Sequence, residues 1–214
     1  MTDMISPDAT SPAERRRLRV RAAILEAAEK VFAEEGEEGL SIRRLAEEID
    51  YSPAAIYKYF GSKEELVDEL KELFFARILD RVGELRGKDA PFETRARACL
   101  TGYIHTALEK PQHYLAAFSS VQEGHEPMPC GSNKARAFEF LIEMVREGQS
   151  LGLVDPELPP VAAAKSLWAC LHGAAALMAH MPSFPEGDPQ PIALDREAFL
   201  DLHAGMILNG LMRP

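Results

Sequence analysis

The chain is short of cysteine, of positive charge and of any stretch that alternates apolar with polar residues. Its three cysteines, Cys99, Cys130 and Cys170, stand far apart among 214 residues. No close pair exists to hold zinc or to form a redox couple, and an odd count gives no disulfide framework. They read as buried or idle thiols in a reducing cytoplasm. The formal net charge is −10. That excludes a surface that coats nucleic acid or an anionic membrane all over, but leaves room for a local basic patch. Residues 1–12, MTDMISPDATSP, place Asp3 and Asp8 where a signal peptide would be apolar, and read as a disordered tail. An uninterrupted apolar run is missing as well. Residues 161–181, VAAAKSLWACLHGAAALMAHM, are long enough to span a bilayer. Lys165, His172 and His180 interrupt them, however, and much of the rest is alanine. The stretch therefore reads as a buried helix of a soluble, cytoplasmic protein with no membrane partner.

Reactive constellations are equally scarce. The six histidines, His105, His113, His125, His172, His180 and His203, show no metal-ligand spacing with carboxylates, so neither metal nor cofactor is expected. Gly148-Gln-Ser-Leu-Gly152 matches G-x-S-x-G, but a nucleophilic serine of that type sits between a strand and a helix. Here Phe138, Leu141, Ile142 and Val145 make the preceding segment helical, so the glycines read as a helix stop. A catalytic role is not expected; an all-α enzyme stays as an alternative.

What is present is helical periodicity throughout, so the fold class is all-α. Ile24, Leu25, Ala28, Val31 and Phe32 form one stripe of a first helix, which Gly36 and Gly39 end. Ser41 is placed to cap a second helix, with Leu40 and Leu45 at the spacing of a hydrophobic staple and Ile42, Leu45 and Ile49 facing inward. Ser52 is placed to cap a third, with Pro53 in its first turn, and Tyr51 and Ile56 repeat the staple spacing. Gly61 closes that helix, and Ser62-Lys-Glu-Glu65 is a capping box for a fourth. Only Asp50 and Tyr51 separate the second and third helices. So tight a turn forces a steep crossing, which is a helix-turn-helix arrangement.

The third helix, SPAAIYKYF, turns Ile56 and Phe60 inward. At about 100° per residue, Ala54, Ala55, Tyr57 and Lys58 face outward and Tyr59 lies at the flank. Such a face suits a major groove: small residues allow close approach, methyl groups meet thymine methyls, and tyrosine hydroxyls and lysine reach phosphates. A plain surface turn of a helical bundle is the alternative. Residues 13–63 hold ten basic and ten acidic residues, whereas 64–214 hold fourteen basic and twenty-two acidic. The acidic excess thus lies outside the helix-turn-helix. Arg15, Arg16, Arg17, Arg19 and Arg21 crowd its start, placed to follow a phosphate backbone or enter a minor groove; a solvated basic helix is the alternative.

The run LSIRRLAEEIDYSPAAIYKYFGSKEELV resembles the DNA-binding segment of the TetR family of bacterial transcriptional repressors, over roughly residues 18–68. The resemblance implies that Ser41, Arg43, Ser52, Ala54, Ala55, Tyr57, Lys58, Tyr59 and Lys63 stand where the family commonly touches DNA. Arg19 joins them from the basic arm. The chain departs from the family in its turn, where Asp50 and Tyr51 replace a glycine and a small aliphatic residue. Asp tolerates the left-handed conformation such a turn needs, though its carboxylate would weaken DNA binding somewhat. Trp168, His172 and Gly173 are similar to the Trp…His-Gly signature of one TetR C-terminal domain type.

The expected layout is a tail over 1–12 and a helix-turn-helix domain over 13–60. A connector helix and a larger domain for effector binding and dimerisation follow over 61–214. The resemblance implies a dimer formed by the last two helices, about 159–181 and 195–211, joined by PSFPEGDPQP. Gly173-Ala-Ala-Ala176 would let helices approach closely, beside Phe199, Leu202, Met206 and Leu211; an internal core is the alternative. Candidate lining residues for a small-molecule pocket are Tyr103, Phe118, Phe140, Met144, Trp168 and His172, with ordinary core packing as the alternative. The implied function is a sequence-specific regulator, a repressor that a small-molecule effector releases from double-stranded operator DNA. A helix-turn-helix used only for protein contacts is the other reading.

Overall fold

The computed structural model describes residues 11–86, 89–119, 131–181, 183–186 and 194–212. The expectations for residues 1–10, Cys130, His125 and most of the proline-rich loop lie outside these residues. The described residues form helices α1 (Pro12–Gly39), α2 (Ile42–Glu48), α3 (Pro53–Ile56), α4 (Lys63–Arg86), α5 (Phe92–Glu109), α6 (Pro111–Ser119), α7 (Asn133–Ser150), α8 (Pro160–His180) and α9 (Arg196–Leu211). Among them the only extended pairing is an isolated bridge, Val154 with Met212. The chain divides into two compact units, Met1–Leu70 and Lys71–Pro214. The division falls inside α4 instead of ahead of it.

In the first unit, α1 starts earlier than the sequence suggests. Ser11 accepts from the Glu14 N–H while the Glu14 carboxylate accepts from the Ser11 N–H, a reciprocal capping box that draws Ser11 and Pro12 out of the tail. At its other end Gly36 takes φ 71° and breaks the helical run, a conformation that costs glycine little. Ser41 and Ser52 cap α2 and α3 as expected, accepting from Arg44 and Ala55 N–H groups at 3.2 Å. Leu40 and Leu45 are both buried, completing one staple. Tyr51 stays 41% exposed, so the second staple position adds no buried pair. Asp50 adopts φ 56°, the left-handed turn that short polar side chains tolerate. The box at α4 differs in detail. Ser62 caps the Glu65 N–H at 3.1 Å, but the Glu65 carboxylate accepts from Gly61 at 2.6 Å, one residue ahead of the cap.

The core of the first unit gathers Ile24, Ala28, Val31 and Phe32 of α1, Leu45 of α2 and Ile56 and Phe60 of the third helical segment. Leu66, Val67 and Leu70 of α4 are buried as well. Arg21 lies over the Phe60 ring at 4.7 Å and pairs with Glu69 at 2.5 Å, so this arginine fastens the unit together.

The second unit packs α8 against α5, α7, α6 and α9. By length and composition α8 could cross a membrane, yet Ala163, Ala164, Leu167, Leu171, Ala174, Ala175 and Met178 are buried inside the unit. That is the inner face of a core helix. Two of the four residues assigned to a dimer face on the last helix belong to this core instead. Leu211 is buried, and Phe199 is partly buried, edge-on to Phe184 and stacked on His203. Their positions on α9 put them on its inner side, whereas Leu202 and Met206 face outward at 52% and 67% exposure.

Ser150 stands at the end of α7, its hydroxyl donating to the Glu147 carbonyl at 2.7 Å, and Gly152 follows with φ 73°. The G-x-S-x-G match is therefore a helix terminus. Cys99 is buried, which pushes its thiol up to about 12, so it carries no thiolate at neutral pH. Cys170 is exposed on α8.

Candidate nucleic-acid interface and ligand cavity

The third helix is shorter than two turns. Only Pro53–Ile56 are α-helical; then the chain tightens, with Lys58 N–H donating to Ala55 and Tyr59 N–H to Ile56. Such three-residue bonds close a last turn compactly. The result presents an uncovered edge. Ala54, Tyr57 and Lys58 are exposed, Tyr57 at 54%, while Ala55 and Tyr59 are half-buried. Ile56 and Phe60 are fully buried beneath them.

Beside this edge the structure places two arginines of the basic arm. Arg16 and Arg17 of α1 border an open depression together with Ala13, Lys58 and Tyr59. Among the described residues none of these three cations has a carboxylate partner. Several other cations of the unit are paired: Arg43 with Glu47 at 3.0 Å, Arg44 with Glu35 at 2.8 Å and Lys30 with Glu48 at 2.5 Å. Lys30 is raised and Glu48 lowered from their ordinary pKa values, each first by the hydrogen bond between them. The depression next to the third helix thus gathers three cations that lack a carboxylate partner among the described residues. The sequence hid this grouping because Arg16 and Lys58 are forty-two positions apart.

The remaining candidates are partly committed to the fold. Ser41 and Ser52 accept helix N–H groups as caps, which leaves each hydroxyl proton free to donate outward. Arg43 is exposed and reaches Glu47. Lys63 donates to the Glu37 carbonyl at 2.8 Å, fastening the start of α4 to the end of α1. Arg19 is exposed, with Nε 3.4 Å from the Arg15 carbonyl.

In the second unit an apolar cavity lies among α4, α5, α7 and α8. Three of the six pocket candidates line it: Tyr103, Phe140 and Trp168. Phe75, Ile78, Leu79 and Val82 of α4, together with Lys134, Phe138 and Leu171, complete most of its wall. The α4 stripe was readable from its spacing of three and four, but the sequence marked that helix only as a connector. The cavity measures about 30 Å³, room for about two water molecules. Met144 does not line it. One turn beyond Phe140 on α7, it faces a neighbouring hollow with Phe92, Arg95 and Glu147.

His172 and Phe118 also lie outside the cavity wall and form an aromatic cluster behind Trp168. Phe118 stands 6.0 Å from Trp168 and 4.3 Å from His172, between ring centroids. Tyr114 Oη lies 3.0 Å from the His172 carbonyl and 2.9 Å from its Nδ1. One hydroxyl proton cannot serve both. With the proton on the carbonyl the oxygen accepts from Nδ1–H; with it on Nδ1 the ring carries its proton on Nε2. Burial lowers the His172 pKa from 6.5. Its folded value is depressed, so its contribution to stability is full above pH 6.5 and is lost as pH falls through the folded value. The expected outcome is a melting temperature that drops below pH 6.5, and a smaller drop in His172→Gln, measured by circular dichroism across pH 5–8. An identical pH profile in both proteins would show that His172 does not carry this pH dependence.

Tyr103 is only 7% exposed and its hydroxyl has no hydrogen-bond partner. The Trp168 indole is near enough to temper its pKa, but not aligned to bond it. Burial raises the pKa of Tyr103 and, with help from Tyr103, that of Tyr114. Among the described residues no group of His, Cys, Asp or Glu is arranged to hold a metal ion.

Two family profiles match the chain. Bacterial regulatory proteins, tetR family, covers residues 24–70, and Tetracyclin repressor-like, C-terminal domain, covers residues 96–203. The HTH-type transcriptional repressor AcnR of Corynebacterium efficiens is 44% identical over 64 residues, 30% of this chain and 34% of that protein. The HTH-type transcriptional repressor KstR2 of Mycobacterium tuberculosis is 39% identical over 104 residues, 48% of this chain and 50% of that protein. The chain therefore spans a third to a half of the length of these relatives. A protein of unknown function from Rhodococcus sp. RHA1 superposes with a TM-score of 0.71 at 23% identity, covering 97% of this chain and all of that one. The ketosteroid transcriptional regulator KstR2 superposes with a TM-score of 0.61 at 16% identity, covering 91% of this chain and 99% of that one. At these identities the structural likeness is one of fold.

A three-helix N-terminal unit with an uncovered third helix, continued by a helical domain, defines a helix-turn-helix regulatory protein. The chain belongs to the TetR family of bacterial regulatory proteins. The C-terminal match carries no Trp…His-Gly subtype with it.

Proposed function

We propose that this protein is a homodimeric transcriptional repressor of the cytoplasm, released from its operator by a small-molecule effector. The observation that carries the DNA half is the grouping of Arg16, Arg17 and Lys58 around the uncovered third helix. Cations without counter-ions release condensed ions from DNA when they meet phosphates, and base edges are read by the small and hydroxylated side chains between them. In this reading Ala54, Ala55 and Tyr57 approach the major groove. Ser41, Arg43, Ser52, Tyr59 and Lys63 contact the backbone, and Arg19 follows it from α1. Sequencing DNA selected by the protein from a random pool tests the reading. A near-palindrome with half-sites about 34–36 Å apart is expected; unenriched DNA would refute it and favour a helix-turn-helix used for protein contacts.

The dimer reading rests on an apolar face. Leu177 of α8 is 45% exposed, Leu202 and Met206 of α9 more so, and Gly173 and Gly210 on the same helices are exposed without side chains to hold a neighbour away. A two-fold axis would pair these helices with their copies. The double variant Leu202→Glu/Met206→Glu is expected to sediment as a folded monomer and to bind operator roughly 100-fold more weakly, because the two reading heads are no longer linked. A dimer at unchanged affinity would place the interface elsewhere.

The effector reading rests on the cavity. Four of its wall residues belong to α4, the helix that leads back to the DNA-binding unit. A molecule that occupies the cavity favours conformations in which α4 makes room, and differential affinity of that kind is what shifts a two-state equilibrium. A coupling of about 1–3 kcal/mol is typical.

A further inference from the structure

The geometry points to an apolar monocarboxylate as the molecule that fills this cavity, with its carboxylate on Lys134 and its body against the aromatic wall. The inference rests on the reading of the cavity as the effector site, and adds to it a chemical class. Its basis is the contrast between the wall and the few polar groups on it. Phe75, Val82, Phe138, Phe140 and Leu171 make the wall apolar, which selects an apolar body. Apart from the Cys99 thiol and the Trp168 indole, the polar side-chain groups on the wall are the Tyr103 hydroxyl and the Lys134 ammonium.

Both are idle. The Tyr103 hydroxyl is buried and makes no hydrogen bond. A buried hydroxyl in that state destabilises the fold, so a ligand oxygen that accepts from it is favoured. Lys134 has no carboxylate partner among the described residues. Its Nζ lies 5.8 Å from the Phe118 centroid, beside the cluster that backs Trp168. No ion pair joins it to Glu72, whose carboxylate accepts from the Asn133 N–H at 2.6 Å. The charge balance then narrows the class. One cation and no acid on the wall disfavour a cationic ligand. A polyanion would bring more charge than Lys134 can match, and a neutral lipid would leave the ammonium without an anionic partner. A single carboxylate matches the one cation on the wall.

Calorimetry on the full-length protein with matched probes tests this. Decanoate and 2-naphthoate are compared with 1-decanol, 2-naphthol and decylammonium, each below its aggregation limit. The carboxylates are expected to bind at least about tenfold tighter than the alcohols of the same body, a ratio in keeping with a hydrogen-bonded charge. Decylammonium should be weakest. Lys134→Gln should bring the carboxylate-to-alcohol ratio to about one, and Lys134→Arg should restore most of it. Tyr103→Phe should weaken the carboxylates several-fold. Alcohols that bind as well as acids, a tighter amine, a ratio that survives Lys134→Gln, or no binding by any probe would each overturn the inference. The wild-type comparison decides even if a variant fails to fold. Selective carboxylate binding with unchanged operator affinity would uphold the ligand class and refute the effector reading.

Discussion

Phe60→Ala is expected to unfold the N-terminal unit while the second unit keeps its own transition. The ring is fully buried beneath the third helix and carries Arg21 on its face at 4.7 Å. Removing a buried phenyl group costs about 3–5 kcal/mol, because apolar contacts are lost and a cavity remains. A unit of this size holds on the order of 3–5 kcal/mol in all, so a single truncation removes most of its margin. The loss of Arg21's aromatic seat adds to the effect. Hydrogen exchange read by mass spectrometry should show protection vanishing across α1 to α3 and persisting in α5, α7 and α8. Phe60→Leu should cost far less, since it nearly conserves volume. If Phe60→Ala keeps its protection in the first unit, the ring is not the keystone the packing indicates.

Lys58→Glu is the second large effect, and it acts without touching the fold. Lys58 is exposed and has no carboxylate partner among the described residues, so neither a contact nor a buried group is lost. What changes is the sign of charge beside Arg16 and Arg17. A carboxylate set against phosphates adds repulsion where attraction stood, and like charges in an interface are costly. Operator affinity should fall by roughly 100-fold or more near 0.1 M salt, while the melting curve stays where it was. Lys58→Ala should reduce the slope of log affinity against log salt by about two per dimer, one phosphate contact per protomer. An unchanged slope would mean that Lys58 faces solvent in the complex.

The sequence revealed the first unit well because its signals are local. Ser41, Ser52 and Ser62 mark helix starts through bonds to N–H groups three residues away, and Gly36 and Asp50 mark turns through their own dihedral angles. Stripes such as Ile24–Ala28–Val31–Phe32 declare their inner face by spacing alone. What stayed hidden depends on pairs distant in the chain. Nothing in the spacing shows that Arg16 approaches Lys58, or that Arg21 settles on Phe60 and leaves the basic arm. The cavity was half legible for the same reason. Tyr103, Phe140 and Trp168 are aromatic residues on middle helices and were easy to suspect, whereas Met144 and His172 stand one turn farther along the same helices, outside the cavity wall. Phe199 and Leu211 show the limit of hydrophobicity as a guide to interfaces: an apolar residue at the right spacing serves a core as readily as a partner.

The narrowness of the cavity bears on how fast such a switch can respond. A hollow of about 30 Å³ holds no molecule of ten heavy atoms until α4 and its neighbours breathe outward. Uptake would then level off as ligand concentration rises, at a ceiling set by the opening frequency. In that regime the delay between a rise in metabolite and the freeing of a promoter belongs to the protein's own clock, and crowding the cell with more inducer would not shorten it.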